Sequence, residues 1–529
     1  MNRREFMASG AALGAFGKER KTKKKPEEDA IEQLTIAGVQ DAFSSGRLTS
    51  HVLTERFLAR IHKFDQTGPA INAVIELNPD APKIAAALDR ERKAGKVRGP
   101  LHGIPVLIKD NIDTADRMAT TAGSLALVEN HAAEDAHVAK QLRAAGAVIL
   151  GKTNLSEWAN FRSDRSTSGW SGRGGQTRNP YALDRNPCGS SSGSAAAVSA
   201  GFCIVGVGTQ TDGSVVCPSS VNGLVGIKPT VGLISRAGII PIAHSQDTAG
   251  PMARNVHDAA ILLSVLAGVD PRDGATQPAA AHIQSDYTQL LDAKGLKGAR
   301  IGIARKFFGI SPAVDKAMED SIAVMKREGA VIVDPADLPT HGKFGDFEST
   351  VLQYEFKADL TQYLSKVPSG VPVHSLADVI DFNLKNRSKE MPYFEQELLI
   401  YSEKRGPLTD QAYLDALTMS KDMAGRDGID AVIASQNLDA IVAPTSGPAW
   451  LTDWISGDHD SGGCSQPPAV AGYPHITVPA GSAFGMPFGI SFFGAAWTEP
   501  KLLKLAYAFE QATKIRRAPA FLSTAAWNA

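Results

Sequence analysis

The sequence predicts an α/β fold, with a mixed or parallel β-sheet at its centre and helices covering it. Three observations carry that reading. Short apolar runs alternate with stretches of helical periodicity along most of the chain. A helix, a glycine stop and a buried strand follow one another twice, in "DAHVAKQLRAAGAVILGKTN" and in "AVDKAMEDSIAVMKREGAVIVD". No proline- or glycine-rich linker divides the chain after residue 30, and no fixed-period repeat appears. Residues 30–529 therefore read as one large domain, and residues 1–29 as a separate terminal segment.

That segment opens "MNRREFMASGAALGAFG". Arg3 and Arg4 precede a short apolar run, Phe6 to Gly17, as in a twin-arginine export signal. The run is too short to span a bilayer. The following "KERKTKKKPEED" is basic and lacks an A-x-A cleavage signature. Two expectations stand: an exported or periplasmic protein, or a cytoplasmic one with a basic tail. Lys18 to Asp29 has no apolar anchors and reads as a linker.

Helical periodicity begins at Ala30. In "LTSHVLTERFLARIHKF", Thr49 or Ser50 is the cap, and Val52, Leu53, Phe57, Leu58 and Ile61 share one face. "AINAVIEL" reads as a strand. "PDAPKIAAALDRERKAGK" opens on proline and closes at a glycine, as helices do. "GIPVLIKDNI" is a short buried strand that runs into a polar turn, and Ala147 to Leu150 is another strand. Residues from about Asp270 to Ala440 read as mostly helical and carry no legible motif.

Composition excludes some functions. The 529 residues carry a net charge of −1, so no strong field steers the chain to nucleic acid. The four cysteines, Cys188, Cys203, Cys217 and Cys464, form no CxxC pair and show no zinc-ligand spacing with histidine. They read as free, buried thiols, because a chain with a large core does not need a disulfide framework. No metal or cofactor is expected.

The segment "CGSSSGSAAAVSAG", Cys188 to Gly201, has the composition of a flexible linker. Its continuation, "AAAVSAGFCIVGVGTQTDGSVVCPSS", does not. Ser194 to Gly201 predicts a short, tightly packed helix, and "FCIVGVG" a fully buried strand. The serines then sit at a helix N-terminus inside a core, where backbone N–H groups point at whatever lies in front.

Two chemistries fit those serines. Gly189 to Gly193 matches G-x-S-x-G, a nucleophile elbow with Ser191 as nucleophile. That motif needs a strand just before it, and "NPYALDRNP" is turn-rich. It also needs a histidine, and His244 and His257 downstream have no distinctive setting. Alternatively the serines pair with Lys109, at the end of "GIPVLIK". Desolvation there would lower the amine's pKa and free it as a base. A strand-end lysine can equally reach solvent. A phosphate loop is the weakest reading, because no G-K-[ST] follows.

Four segments together resemble the amidase signature family: "GIPVLIKDNIDT", "CGSSSGSAAAVSAG", "GTQTDGSVVCPSSVNGLVGIKPTVGLISRAGIIPIAHSQDTAGPMAR" and "AVAGYPHITVPAG". The resemblance runs in order over nearly the whole chain from about residue 30. It implies a single amidase-signature domain and a triad of Lys109, Ser190 in a cis peptide, and the nucleophile Ser214. It further implies an oxyanion hole from the backbone N–H groups of Thr211, Asp212, Gly213 and Ser214. Two positions depart from the family: Asp212 stands where glycine is usual, and so does Cys188. A carboxylate beside an oxyanion would repel it, so the Asp212 side chain is expected to point away. Within the family, "TQTDGSVVCPSS" and "IVAPTSGPAWLTDWISGDH" most resemble bacterial peptide amidases.

The resemblance implies hydrolysis of a carboxamide, C-terminal peptide amides among them, through an acyl-enzyme that releases ammonia. Partners would be a small-molecule or peptide amide, with no nucleic acid and no membrane span, in a monomer or homodimer. The alternatives are an amidotransferase-type subunit that supplies ammonia to a tRNA-handling partner, and an inactive binding homologue. Asn154, Glu157, Thr120 to Ser124, Trp450 and Trp454 are further candidates for the site wall, each with an equally good packing role.

Overall fold

The structure is a computed structural model that describes residues 31–526. The twin-arginine expectation and residues 1–29 fall outside the described residues. Thr49 caps the helix Ser50–Ile61 by accepting from the N–H of Val52, and Leu53, Phe57 and Ile61 are its buried stripe. The helix Ala81–Lys93 starts on a proline-containing turn, and Ala81, Ala85 and Leu88 face inward.

The strands are β1 Val74–Leu77, β2 Pro105–Lys109, β3 Val148–Thr153, β4 Trp170–Ser171, β5 Gly175–Gln176, β6 Val205–Gln210, β7 Val225–Lys228, β8 Thr248–Ala253, β9 Arg300–Ile303, β10 Val331–Val333, β11 Ala440–Pro444, β12 His475–Ala483 and β13 Met486–Phe493. Strands β4 and β5 form a small ribbon. The other eleven form one sheet in the order β1-β3-β2-β6-β8-β7-β12-β13-β11-β9-β10. Pairing is parallel at β3–β2, β2–β6, β11–β9 and β9–β10, and antiparallel elsewhere, so the sheet is mixed. Its central strands are buried throughout and read as apolar runs. Helices cover it, and one apolar cluster runs from Ile36 to Phe509.

Several boundaries differ from the sequence reading. The helix in the serine run spans Ser192–Ser199, two residues earlier than expected. The strand read from "FCIVGVG" starts only at Val205, because Phe202 to Ile204 form the bend that returns the chain from the helix. Strand β3 begins at Val148 and runs on to Thr153, because it pairs with β1 on one side and β2 on the other. The ladders thus extend a strand past its apolar residues. The segment from Asp270 to Ala440 is largely helical, but β9 and β10 lie within it at the sheet edge.

The cysteine expectation is corrected. Cys188 and Cys217 form a disulfide, with Cα atoms 6.1 Å apart. The backbone N–H of Ser191 donates to the carbonyl of Ser214 at 3.2 Å, which brings the two cysteine-bearing turns together. Cys203 and Cys464 are free and buried, as expected. Among the described residues, no helix is long and apolar enough to cross a membrane.

Candidate active site

The site forms where β2 and β6 end side by side. They are parallel, with Ile108 beside Val207, and the Lys109 side chain reaches Thr209 near the end of β6. The serine run crosses in front of both ends. Gly193 lets it approach: a Cβ there would lie 2.3 Å from the Ala73 carbonyl oxygen and 2.5 Å from that of Asn154.

Lys109 is fully buried. Its Nζ lies 2.7 Å from Ser190 Oγ and 2.8 Å from Thr209 Oγ1, with the Thr209 carbonyl at 3.3 Å. Asn111 Nδ2 donates to the same Thr209 hydroxyl at 3.0 Å. Burial drives the Lys109 amine well below the ordinary lysine range, and the Asp247 carboxylate opposes this. The Gly189–Ser190 peptide is cis. The Ser190 carbonyl accepts from the N–H of Ser156 at 3.1 Å.

Ser214 follows β6 and precedes the helix Val216–Val221. Its backbone is tied to the serine run through Ser191, but no hydrogen bond joins its hydroxyl to Ser190 among the described residues. The structure thus brings Lys109 and Ser190 into direct contact and holds Ser214 beside them. Gly213 has φ +78°, which turns the backbone between β6 and Ser214. Among the described residues, the N–H groups of Asp212, Gly213 and Ser214 donate to no protein acceptor. Thr211 is held through its side chain, whose hydroxyl donates to Asp247 Oδ1 at 2.5 Å.

Asp212 faces Ser465 and Glu348, and burial pushes its carboxyl up to about 6. Burial pushes Glu348 higher, to about 8, with the Asp212 carboxyl adding to the shift. Asp110, next to the lysine, turns its carboxyl to Thr121, to the N–H of Gly123 and to Arg173.

A family model described as Amidase matches residues 52–503. The chain belongs to the amidase family. It is 51% identical to the native peptide amidase from Stenotrophomonas maltophilia, covering 92% of this chain and 99% of that one, with a TM-score of 0.88. A probable amidase of Arabidopsis thaliana is 43% identical over 503 residues, 93% of each chain. A glutamyl-tRNA(Gln) amidotransferase subunit of Chloroflexus aurantiacus is 34% identical over 507 residues, covering 92% of this chain and 97% of that one. The protein is thus a hydrolase of carbon–nitrogen amide bonds with the amidase fold.

For this amidase, the nucleophile-elbow reading finds little support. No strand lies between β5 and the serine run. The Ser191 hydroxyl is occupied, donating to the Thr209 carbonyl at 3.0 Å and accepting from its N–H at 3.2 Å. His244 does have a distinctive setting, between Asp359 (2.8 Å) and Glu355 (3.4 Å), but it is bound there and not to a serine. His257 lies 4.0 Å from Asp258.

The wall candidates are mostly framework. Asn154 bonds the Gly175 carbonyl and Thr177. Glu157 pairs with Arg162 at 2.7 Å, both buried. Thr120 accepts from Lys152, Thr121 donates to Asp110, and Ser124 caps a short turn. Trp450 is buried against Tyr181 and Cys188, whereas Trp454 is 44% exposed and stacks on Tyr393.

Sequence reasoning missed Thr209, Asn111 and Asp247. A cavity of about 770 Å³ lies against all three and against Thr211. Parallel pairing of "GIPVLIK" with "FCIVGVGTQ" would have found Thr209. Asp247 stands in one of the four segments that carry the resemblance, but sequence reasoning gives it no role there.

Proposed function

We propose that the chain hydrolyses carboxamides through an acyl-enzyme, with Ser214 as nucleophile, Ser190 as proton relay and Lys109 as base. The observation that carries this is the buried Lys109 Nζ to Ser190 Oγ contact of 2.7 Å, where burial favours the neutral amine. A neutral amine accepts the Ser190 proton, and a hydroxyl can donate one proton while accepting another.

The route begins with attack of Ser214 Oγ on the amide carbonyl carbon. Its proton passes to Ser190 Oγ, whose own proton passes to Lys109 Nζ. The carbonyl oxygen becomes an oxyanion, and the free N–H groups of Asp212, Gly213 and Ser214, with that of Thr211, are its donors. The C–N bond then breaks. Lys109 returns its proton through Ser190 to the leaving nitrogen, which departs as ammonia. Water attacks the acyl-Ser214 by the same relay in reverse and frees the acid. Side chains and backbone of this chain handle every proton and charge, so the route invokes no metal or cofactor.

The likeness to the Stenotrophomonas maltophilia peptide amidase, at 51% identity, supports C-terminal peptide amides as substrates. A cavity of about 770 Å³ opens beside Thr209 and Thr211, but Lys109, Ser190 and Ser214 are not among its lining residues, so the choice of substrate rests on that likeness. The Cys188–Cys217 disulfide supports the exported location, since disulfides persist in oxidising compartments. The test is ammonia release from an amidated peptide by the purified chain alone. Wild type is expected to release it and Ser214→Ala to lose it while remaining folded. Turnover retained in Ser214→Ala, with Ser191→Ala inactive, would move the nucleophile to the elbow position. Release only with an added partner would favour the amidotransferase-type reading.

A further inference from the structure

Asp247 belongs neither to the triad nor to the oxyanion segment, but its carboxylate binds Thr211 of that segment and lines the same cavity as Thr209, whose hydroxyl binds Lys109. Its Oδ1 accepts from Thr211 Oγ1 at 2.5 Å. Its Oδ2 accepts from the N–H groups of Ile242 at 2.8 Å and Ala243 at 2.9 Å. The carboxylate is therefore locked in orientation from both sides, and it lines the cavity beside Thr209 and Thr211.

We propose that Asp247 is a positioning residue for the amide hydrolysis. It fixes the oxyanion segment through Thr211, and it supplies the negative charge that Lys109 faces once that lysine has taken up the serine proton. This rests on the reading of Lys109 as the base.

The other charges nearby have partners of their own. Asp110 is turned to Thr121 and Arg173. Asp212 faces Ser465. Lys152, on the neighbouring strand, sits among Asp110, Asp113, Asp116 and Glu76. Across the cavity, Arg236 is paired with Asp273 and Asp359 with His244, and both also face Asp247, Arg236 attracting its charge and Asp359 repelling it. Asp247 is what opposes the effect of burial on Lys109. Burial pushes Asp247 itself up to about 6, so it is ionised at neutral pH and above.

Asp247→Asn separates charge from geometry. The amide oxygen can keep the Ile242 and Ala243 N–H groups while its NH2 donates to Thr211 Oγ1. Loss of a neighbouring carboxylate makes an ammonium harder to form, so the lysine pKa should fall further, by about one unit. In kcat/KM against pH, the rising limb should move to lower pH by that amount. The plateau should drop roughly tenfold, with KM nearly unchanged. Thr211→Val cuts the tether and keeps the charge, so its limb should stay in place while its plateau drops. It also keeps the inference testable if Asp247→Asn does not fold.

The protonation of Lys109 is read independently by 15N-lysine NMR, with the signal assigned by its loss in Lys109→Met. An amine titration unmoved by Asp247→Asn would overturn the inference, as would a full plateau in Thr211→Val. A moved titration with an unmoved rate limb would uphold the Asp247–Lys109 coupling and sink Lys109 as the base.

Discussion

Two lysines lie at the ends of neighbouring strands, and the proposed function makes only one of them a base. Lys109 closes β2, and Lys152 is the penultimate residue of β3. The strands pair with Lys109 beside Thr153 and Ile108 beside Lys152. This offset of one residue sends the two side chains to opposite faces of the sheet. Both are fully buried, and burial is the largest influence lowering the pKa of each. Their company differs. Lys152 donates to the Ile112 carbonyl and to Thr120 Oγ1, and Asp110, Asp113, Asp116 and Glu76 pull its pKa back up. Lys109 meets two hydroxyls, one carbonyl and the charge of Asp247. Burial lowers both amines, four carboxylates hold Lys152 toward its charged form and one faces Lys109, and the proposed function makes Lys109 the base.

The largest effect should come from removing the amine that can lose its proton. Lys109→Ala should reduce kcat/KM by at least the roughly 10²–10⁴-fold typical of a lost general base. Lys109→Arg should fail similarly, because a guanidinium stays protonated. In wild type the pKa of Lys109 is lowered, so the rate should rise with pH along one ionisation below the usual lysine range. It should then stay high on the alkaline side. Near-normal turnover in Lys109→Arg would erase the distinction between the two lysines.

The sequence made one side of this comparison legible and hid the other. Lys109, Ser190 and Ser214 stand in motifs, and strand, serine run and "TDGS" loop follow in order. The elements around them were readable because caps and apolar runs are local signals: Thr49 caps its helix, and Pro105 to Lys109 is a strand. Lys152 went unremarked because its four carboxylates are scattered from Glu76 to Asp116 and meet only in the fold. Asp247 and Thr209 act through side-chain bonds to residues far along the chain. The disulfide was missed for the same reason. Cys188 and Cys217 carry no pairing signature, and only the contact between the two serine-bearing turns brings them together.

The next effect sharpens the contrast from the Lys152 side. Lys152→Met should strip the Ile112 carbonyl and Thr120 of their buried donor and leave Asp110 with Arg173 alone, at a cost of about 1–3 kcal/mol in stability. The denaturation midpoint should fall accordingly. Molecules that remain folded should keep kcat within a few-fold and the same rising limb. Loss of the limb in this variant would show that the two lysines share one proton network.

The staple behind Ser190 comes third. The cysteines are 29 residues apart in sequence, and a loop of that size predicts about 3–4 kcal/mol of stabilisation. Cys188→Ser/Cys217→Ser should lose that much. It should also lose several-fold in kcat, since Cys188 precedes the Gly189–Ser190 turn and Cys217 lies in the first turn of the helix behind Ser214. Thiol-reduced wild type should behave like the double variant. If either keeps full kcat at a temperature where it is folded, the relay serine is held by its hydrogen bonds alone.

The smallest effect concerns the serine beside the relay. Ser191 is buried, and its hydroxyl serves both the carbonyl and the N–H of Thr209, the residue whose own hydroxyl binds Lys109. Gly208 packs against it so closely that a Cβ there would lie 2.7 Å from Ser191 Oγ. Removing that hydroxyl leaves two backbone groups short of one partner, at about 1–2 kcal/mol. Ser191→Ala should therefore melt slightly earlier and turn over amides within a few-fold of wild type. Its rising limb should not move, because Lys109 keeps both of its hydroxyl partners. The measurement is kcat/KM against pH beside a melting curve on the same preparation. A variant that is folded but inactive would return the nucleophile to Ser191, and Lys109 would then differ from Lys152 in its surroundings but not in its role.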